Sequence, residues 1–302
     1  MSLKNKIITI YDAKYKQLLI IPMLILVLSF AQIGYQLATT GDFVNKGTSL
    51  KGGSIISIST EVDAPLIQAT LNEKFRELDI NVRSITDTGK QIGITIETSA
   101  QTDEQITLII GALHELASFS DDDITVEITG SSLGRSFFRQ TFTAMIIAFL
   151  LMALVVFLYF RTLVPSFAVI FAVFADIVET IAVFNITGME LTTAGIAALL
   201  MLIGYSVDTD MLLTARVLKR REGTILERTL GAYTTGMTML ATTFAAAFMA
   251  LLFTNSPVVR EIMTILIIGL VLDAINTWIQ NAAILRWYVE KKDGHHAHKQ
   301  HI

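Results

Sequence analysis

The sequence predicts a membrane α-helical bundle of six transmembrane helices, with an extracytoplasmic α+β ferredoxin-like domain of order βαββαβ between the first and second helices. Apolar residues make up 52% of the chain, charged residues only 17%, and the mean hydropathy is +0.58, which is typical of integral membrane proteins. Six runs of about 20 predominantly apolar residues are each long enough to cross a bilayer as a helix. One polar stretch of about 95 residues, enough for a small globular domain, separates the first run from the other five.

The six apolar runs define the predicted spans. They are residues 18–38, 140–160, 163–184, 191–214, 235–254 and 262–285. The first run follows a mostly polar segment and has no obvious cleavage site after it, so we interpret it as a retained helix rather than a removed signal peptide. The predicted parts of the chain are a cytoplasmic N-terminus at 1–17, the first transmembrane helix at 18–38, an outer domain at 39–135, a five-helix transmembrane region at 136–287 and a cytoplasmic tail at 288–302.

Basic residues predict the orientation, because positive charge in short loops is retained on the cytoplasmic side. The short loops on the opposite side hold only Arg260. Both termini are therefore predicted to be cytoplasmic, in a multi-pass protein of the cell membrane. The basic residues assigned to the inner side are Lys4, Lys6, Lys14, Lys16, Arg161, Arg216, Lys219, Arg220, Arg221, Arg228, Arg286, Lys291 and Lys292.

Charge balance and cysteine content exclude several function classes. The net charge of −4 gives no indication of nucleic-acid binding. The absence of cysteine excludes disulfides, thiol nucleophiles and thiolate metal sites. We predict no cofactor, no bound metal and no enzymatic activity. The run Lys219, Arg220 and Arg221 is interpreted as an anchor on the inner side that also attracts lipid headgroups.

The outer domain alternates strands and helices in its hydrophobic pattern. Strands are predicted at 54–60, 81–88, 91–98 and 123–129, and helices at 64–78 and 102–117. Asp63 followed by Pro65 is a good start for the first of these helices, and Gly89 joins the two middle strands in a short hairpin. The order is that of a split βαβ sandwich, with two helices on one face of an antiparallel sheet.

Some polar features of the outer domain and tail have both a functional and a structural interpretation. The glycines of GTSLKGG, residues 47–53, favour a hinge or packing turn over a phosphate site. Asp121, Asp122 and Asp123 favour a charged turn over a calcium site, because the spaced ligands of an EF-hand loop are missing. His114 is interpreted as a solvated side chain. The tail histidines match no closed metal site and are His295, His296, His298 and His301.

Carboxylates inside the apolar runs are the main functional signal. An ionised side chain near the bilayer centre costs roughly 2.5–3.5 kcal/mol, so such residues usually face a bundle interior and mark an ion or proton path. In the fourth span, Asp208 shares a helix face with Gly204, where a neighbouring helix can approach. Asp210 points about 200° away from Asp208, on the face of Thr214, and lies nearer the inner interface. Asp208 therefore ranks above Asp210 as an interior site.

The third and sixth spans add further acids. Asp273, Asn276, Thr277 and Gln280 recur at three- and four-residue spacing and form one polar stripe on the sixth span. Asp176 and Glu179 are neighbours on the third. Together these acids would cost on the order of 10 kcal/mol, which rivals the stability of a whole domain. The alternative is interhelical hydrogen bonding, worth about 0.6 kcal/mol per bond, and it remains open above all for the uncharged members.

Across nearly its whole length the chain resembles the SecF family of protein-export membrane proteins. The resemblance rests on GTSLKGGSIISIS, FADIVETIAVFNITGMELTTAGIAALLMLIGYSVDTD and VLKRREGTILERTL, and it is nearest to archaeal members. Bacterial members usually read IGYSLNDT, so Asp208 stands at their Asn position, Thr209 at their Asp position and Arg216 at their Arg position. Asp176 matches the acid of their third-span HD motif, whereas the preceding His is replaced by Ala175.

The resemblance implies a six-span half of an RND-superfamily bundle that pairs with SecD and works beside a SecY-type translocation channel. Its implied client is a translocating unfolded polypeptide, and its implied energy source is the proton gradient. We predict that a charge relay uses Asp208, Asp210 and Arg216 first, then Asp176 and Asp273. Arg216 could instead reach the inner headgroups as an anchor. Further polar positions predicted inside the bundle are Gly204, Thr209, Asn276 and Gln280.

Two other functions are compatible with membrane acids. An RND-type small-molecule exporter subunit would need an apolar substrate pocket in the outer domain, which looks small for that purpose. An intramembrane aspartyl protease would need two carboxylates close enough to share a proton. Asp176 and Asp208 are predicted at different depths, and the GYSVD context is not the GxGD pattern of such proteases, so this alternative is the weakest.

Overall fold

The computed structural model describes residues 3–87, 90–117, 119–120, 123–219, 222–254 and 256–299. The first half of the chain contains α1 at Leu3–Leu18, α2 at Ile20–Thr40, α3 at Thr48–Lys51, β1 at Gly53–Ile58, α4 at Ala64–Lys74, β2 at Ile80–Asp87, β3 at Lys90–Thr98, α5 at Asp103–Leu116 and β4 at Ile124–Thr129. The second half contains α6 at Ser131–Phe160, α7 at Leu163–Ile186, α8 at Thr193–Lys219, α9 at Ile225–Phe253, α10 at Pro257–Ile275, a π-helical turn at Asn276–Asn281 and α11 at Ala282–Lys299.

Some predicted features fall beyond this description. The positions outside the described residues are Gly89 of the hairpin, Asp121 and Asp122 of the calcium alternative, Arg220 and Arg221 of the inner anchor, and His301, together with the side chains of His295, His296 and His298.

Five helical stretches of the described chain are long and apolar enough to cross a membrane. They are Tyr11–Thr40, Ser131–Phe160, Leu163–Ile186, Thr193–Lys219 and Ile225–Phe253. The predicted sixth span is divided between α10, the π-helical turn and α11. α10 is only 19 residues long and carries Arg260, Glu261 and Asp273, so by length and composition it is a weaker candidate than the other five.

α9 begins ten residues before the predicted span because its sequence has a strong start signal. The Thr224 hydroxyl accepts a hydrogen bond from the Glu227 amide at 3.2 Å, and the Glu227 carboxylate accepts one from the Thr224 amide at 2.7 Å. This reciprocal capping box satisfies two amides that would otherwise have no helical partner. The apolar run therefore marks only the part of α9 suited to a membrane.

The domain between α2 and α6, called the outer domain after its predicted side, is built on a four-stranded antiparallel sheet in the order β2-β3-β1-β4. Ile56 of β1 faces Ile96 of β3 on one side and Val126 of β4 on the other. α4 and α5 pack against the apolar face of the sheet, and α5 starts with a capping box between Thr102 and Gln105. Fully buried side chains of this core are Ile56, Ile67, Leu71, Ile94, Ile96, Ile109 and Leu113.

The outer domain joins the membrane half at a closely packed neck. Gly52 has a φ of +89°, and a Cβ there would lie 2.4 Å from the Cα of Ser131. A Cβ on Gly134 would lie 2.7 Å from the Gly52 amide nitrogen. The chain entering the domain and the chain leaving it therefore touch, backbone against backbone, which only glycine permits. The prediction of a packing turn in GTSLKGG is confirmed, and the exposed His114 stacks on Phe119 with ring centroids 4.2 Å apart.

Candidate functional site

A buried polar cluster lies where α7, α8, α10 and the π-helical turn meet. Every member is at most 1% exposed. The cluster consists of Asp176 and Glu179 from α7, Ser206, Thr209 and Asp210 from α8, Asp273 from α10, and Asn276, Thr277, Gln280 and Asn281 from the π-helical turn.

Two glycines allow the helices to enclose the cluster tightly. A Cβ on Gly269 of α10 would lie 2.5 Å from two methyl carbons of Leu202 on α8. A Cβ on Gly236 of α9 would lie 2.3 Å from the indole ring of Trp278 in the π-helical turn. Small residues at such crossings let membrane helices approach closely, which here removes space between α8, α9, α10 and the turn.

The end of the cluster nearer the outer domain is held together by one asparagine. The Asn276 side-chain amide donates to Asp176 Oδ1 at 2.8 Å and to Glu179 Oε2 at 2.9 Å. The Ser206 hydroxyl donates to the other carboxyl oxygen of Asp176 at 2.5 Å. The Asp176 carboxyl group on α7 is thereby bound to both α8 and the π-helical turn.

Asp273 lies at the centre of the cluster. It accepts from the Thr277 hydroxyl at 3.1 Å, and the Thr209 hydroxyl lies 3.2 and 3.3 Å from its two oxygens. Asp273 is near enough to Asp176 and Asp210 to interact with both electrostatically. A change of charge at Asp273 would therefore change the electrostatic energy of both Asp176 and Asp210.

The end of the cluster farther from the outer domain is formed by Asp210, which accepts from the Asn281 side-chain amide at 2.7 Å. None of the ion pairs within 4 Å among the described residues involves the carboxyl groups of Asp176, Glu179, Asp210 or Asp273. Their direct partners are hydroxyls and amides. Four buried acids without a paired cation cannot all be ionised at once, since an uncompensated buried charge is very costly.

The π-helical turn determines which asparagines reach the acids. Asn276 and Asn281 are five residues apart, which in an α-helix would put them about 140° apart. A π-helical turn closes hydrogen bonds between residues five apart and therefore brings such residues towards one face. Turns of this kind occur frequently at functional sites, and this one lets α7 and α8 be contacted from the same segment.

Several polar atoms of the cluster have spare hydrogen-bonding capacity. Among the described residues, no partner is found for either side-chain polar atom of Gln280, for Asp210 Oδ2, for Glu179 Oε1 or for Asn281 Oδ1. Buried groups in this state cost free energy, and in native proteins they are concentrated where function requires them. The cluster can therefore rearrange its hydrogen bonds without first breaking a complete network.

The structure brings together most of the predicted polar residues but not all. Asp176, Thr209, Asp210, Asp273, Asn276 and Gln280 lie in the cluster. Gly204 and Asp208 lie on the exposed face of α8, and nothing approaches within 4 Å of a Cβ built on Gly204. The prediction that Gly204 lies inside the bundle is wrong, and so is the ranking of Asp208 above Asp210 as an interior residue. The two aspartates do point in opposite directions, but the rotation of α8 buries Asp210.

Arg216 contacts α9 rather than the acids. Its guanidinium donates to the Gly231 carbonyl at 2.5 Å and to the Thr235 hydroxyl at 2.9 Å. These bonds fix the C-terminal end of α8 against α9. Arg216 is therefore a helix-joining residue in this structure, and the predicted pairing with an intramembrane acid is not among its contacts.

Sequence reasoning gave no role to Ser206 and Asn281. Ser206 could have been found, because it lies four residues before Asp210 and so shares its helix face. Asn281 could have been found as well, because it lies four residues after Thr277 and continues the spacing of the polar stripe on the sixth span; the π-helical turn brings its amide to Asp210.

Comparison with known proteins assigns the chain to a family. Residues 109–291 match the family described as protein export membrane protein SecD/SecF, C-terminal. The chain is 38% identical over 293 residues to the protein-export membrane protein SecF of Pyrococcus furiosus, with 97% of each chain covered. The chain belongs to the SecF family of protein-export membrane proteins. The SecF of Thermococcus gammatolerans is 42% identical over 250 residues, which cover 82% of this chain and 79% of that one.

A solved structure supports the fold of this SecF-family chain. The fold of this chain is similar to that of SecDF, a translocon-associated membrane protein from Thermus thermophilus, with a TM-score of 0.73 and 18% sequence identity. The similarity covers 92% of this chain but 38% of SecDF, so the chain spans about two fifths of its length. With its apolar helices, the SecF-family chain is a multi-pass membrane protein. The relatives named above are protein-export membrane proteins, which does not favour the exporter or protease alternatives.

Proposed function

We propose that this chain is an accessory subunit of the Sec protein-export machinery, acting with a SecD-type partner to promote late translocation or release of polypeptide. We further propose that protonation of the buried polar cluster couples this work to the proton gradient. The observation that carries the coupling is the set of four buried carboxyl groups whose direct partners are neutral. Such a cluster must hold protons, and exchanging them changes its charge.

The available energy is sufficient for a conformational step. Moving one charge across a potential of 100 mV supplies about 2.3 kcal/mol. The cluster joins α7, α8 and α10, so a change of charge at Asp273 acts on hydrogen bonds between helices. Asp176, Asp210 and Asp273 are the proposed proton-carrying residues, with Thr209, Asn276 and Gln280 as their polar surroundings. Arg216 holds α8 in place from the α9 side.

The proposed topology has six spans and two cytoplasmic termini. α10, the π-helical turn and α11 together form the sixth span, which is compatible with polar residues because they face the bundle interior. The proposed outer domain, residues 39–135, is ferredoxin-like, as the βαββαβ order and the strand order β2-β3-β1-β4 support. It faces the side on which an exported polypeptide emerges and is the proposed contact for that polypeptide.

The exposed face of α8 supports a partner in the membrane. Asp208 is an uncovered carboxylate on a span, which lipid would not tolerate at low cost. Gly204, one turn away on the same face, leaves room for another helix to approach. We propose that helices of the SecD-type partner cover this face. A SecY-type channel is a second proposed partner, and the basic inner rim contacts lipid headgroups.

Reconstituted export tests this function. Proteoliposomes with the channel, the SecD-type partner and this chain would be assayed for release of a translocating polypeptide, with and without a proton gradient. Asp210→Asn and Asp273→Asn are expected to abolish the gradient-dependent part of release. Glu73→Gln, on the exposed side of α4, is the matched control and should leave release unchanged. Unchanged gradient dependence in both Asp variants would refute the coupling, and failure to co-purify with either partner would refute the assignment to the complex.

A further inference from the structure

A second group of acids lies outside the membrane, where the outer domain meets the turn between α7 and α8. Glu97 of β3 and Glu190 of the turn converge on one guanidinium, and both side chains line the same small cavity. Arg83 of β2 lies beside both, 3.5 Å from Glu97 Oε1 and 3.8 Å from Glu190 Oε2. This contact crosses from the sheet of the outer domain to the membrane half of the molecule.

We propose that Glu97 and Glu190 form a proton-dependent latch between the outer domain and the membrane half. The latch is closed while the two carboxyl groups share one proton, and it opens when both are ionised. This inference does not depend on the buried polar cluster or on the partners proposed above. It assigns a site of proton binding to the junction itself.

The geometry of the pair favours a shared proton. The side chains of Glu97 and Glu190 are 9% and 18% exposed, so both are largely removed from water. Glu97 Oε2 is buried and has no partner among the described residues. One proton between the two carboxyls gives a hydrogen bond and leaves a single negative charge opposite Arg83. Without that proton, Glu97 and Glu190 are two negative charges beside a single guanidinium, and they repel each other.

Other charged groups near the pair have contacts of their own. Lys51 and Asp79 line the same small cavity and pair with each other at 3.9 Å, both well exposed. Lys46 pairs with Asp42 and lies over the ring of Phe138. From α10, Glu261 accepts from the backbone amide and hydroxyl of Thr192, each at 2.7 Å. Among the described residues, Arg83 is the basic residue whose side-chain nitrogens lie within 4 Å of the carboxyl oxygens of Glu97 and Glu190.

The direction of the pH response follows from Glu190. Burial, followed by the hydrogen bond and the charge of Glu97, raises the pKa of Glu190 from 4.5 to about 8, although Arg83 and Lys51 act to lower it. A raised pKa means that the closed contact binds more protons than the open one. Closed contact is therefore fully favoured below about pH 4.5, weakens as the pH rises and reaches its minimum stability above about pH 8.

Opening of the latch would weaken two backbone hydrogen bonds of the same turn, which are called the backbone tie below. Leu191, next to Glu190, donates its amide to the Asn45 carbonyl at 2.6 Å and accepts from the Gly47 amide at 2.8 Å. Together with the neck at Gly52, this tie and the latch connect the outer domain to the membrane half. Of these three contacts the latch is the one whose strength depends on pH.

Distance measurements in the full chain test the latch. The chain has no cysteine, so spin labels can be attached at Glu104→Cys on α5 and Val258→Cys at the start of α10 without a background. Pulsed electron paramagnetic resonance in lipid nanodiscs would record the distance distribution from pH 4.5 to 9. We expect one short distance at acidic pH and a second, longer distance at alkaline pH, with the closed-to-open ratio falling at least about tenfold.

Matched variants test whether Glu190 and Glu97 cause the pH response. Glu190→Gln cannot ionise and should keep the short distance at every pH, and Glu97→Gln should do the same. Glu127→Gln is the control, because Glu127 and Glu97 both face Ile55 from opposite sides of β1 and Glu127 is exposed. It should respond to pH as the unmodified chain does. The proposal is overturned if the unmodified chain shows no pH dependence, if Glu190→Gln retains the full response, or if Glu190→Gln opens the junction at all pH values.

Discussion

Replacing Asn276 by leucine removes the one side-chain amide that bonds two carboxyl groups of α7, while side-chain volume is nearly kept. The lost contacts are the hydrogen bonds to Asp176 at 2.8 Å and to Glu179 at 2.9 Å. Interhelical hydrogen bonds in membrane proteins average about 0.6 kcal/mol and reach about 1.7 kcal/mol. Loss of two such bonds therefore predicts a decrease of about 1–3 kcal/mol in the free energy of unfolding of Asn276→Leu.

Reversible unfolding in mixed micelles, followed by circular dichroism as sodium dodecyl sulfate is added, measures this decrease. Thr264→Val is the matched control on α10, because the Thr264 hydroxyl bonds within its own helix, to the Arg260 carbonyl at 2.8 Å. The control should change the free energy of unfolding by less than about 0.5 kcal/mol. If Asn276→Leu unfolds like the control, the amide does not hold α7 to the π-helical turn and the reasoning about the cluster fails.

Three further substitutions have defined outcomes. Gly236→Ala should lower the midpoint of thermal unfolding, because its Cβ would come within 2.3 Å of the buried Trp278 ring, whereas Gly204→Ala, where nothing lies within 4 Å, should leave the midpoint unchanged or raise it slightly. Asp208→Leu should reduce recovery of the SecD-type partner in mild-detergent affinity purification at least about tenfold if a polar group covers this carboxylate, and equal recovery would contradict that. Gly52→Ala should destabilise the outer domain by about 1–3 kcal/mol in hydrogen exchange, since φ is +89° and its Cβ would lie 2.4 Å from backbone; unchanged exchange would contradict the packed neck.

Local signals in the sequence predicted most of the fold. The Thr102 and Gln105 pair marks the start of α5, and the alternation of Ile56 and Ile58 marks β1, because caps and strand periodicity depend on neighbouring residues alone. The sixth span was less accurate. Asp273, Asn276 and Gln280 were predicted, but the division of the span into α10, a π-helical turn and α11 depends on packing between helices, which sequence spacing does not record.

The candidate site was predicted in composition better than in orientation. Asp176, Asp273 and Asn276 were predicted from the cost of polar groups in apolar runs, and they lie in the cluster. The choice between Asp208 and Asp210 requires the rotation of α8 about its axis. That rotation is set by the helices that pack against α8, as where Leu202 contacts Gly269, so a pattern within one helix cannot determine it.

The neck has a mechanical consequence. Because Gly52 and Ser131 touch, both chain connections of the outer domain pass through one point rather than two separated ones. Once the contacts at Leu191 and Glu190 open, a body held at one point can turn about it, and a small rotation there becomes a larger displacement at the far edge of the sheet. The junction at Glu190, away from that point, then acts as a brake on the rotation, so its bond strength governs how far a segment bound to the outer domain could be carried.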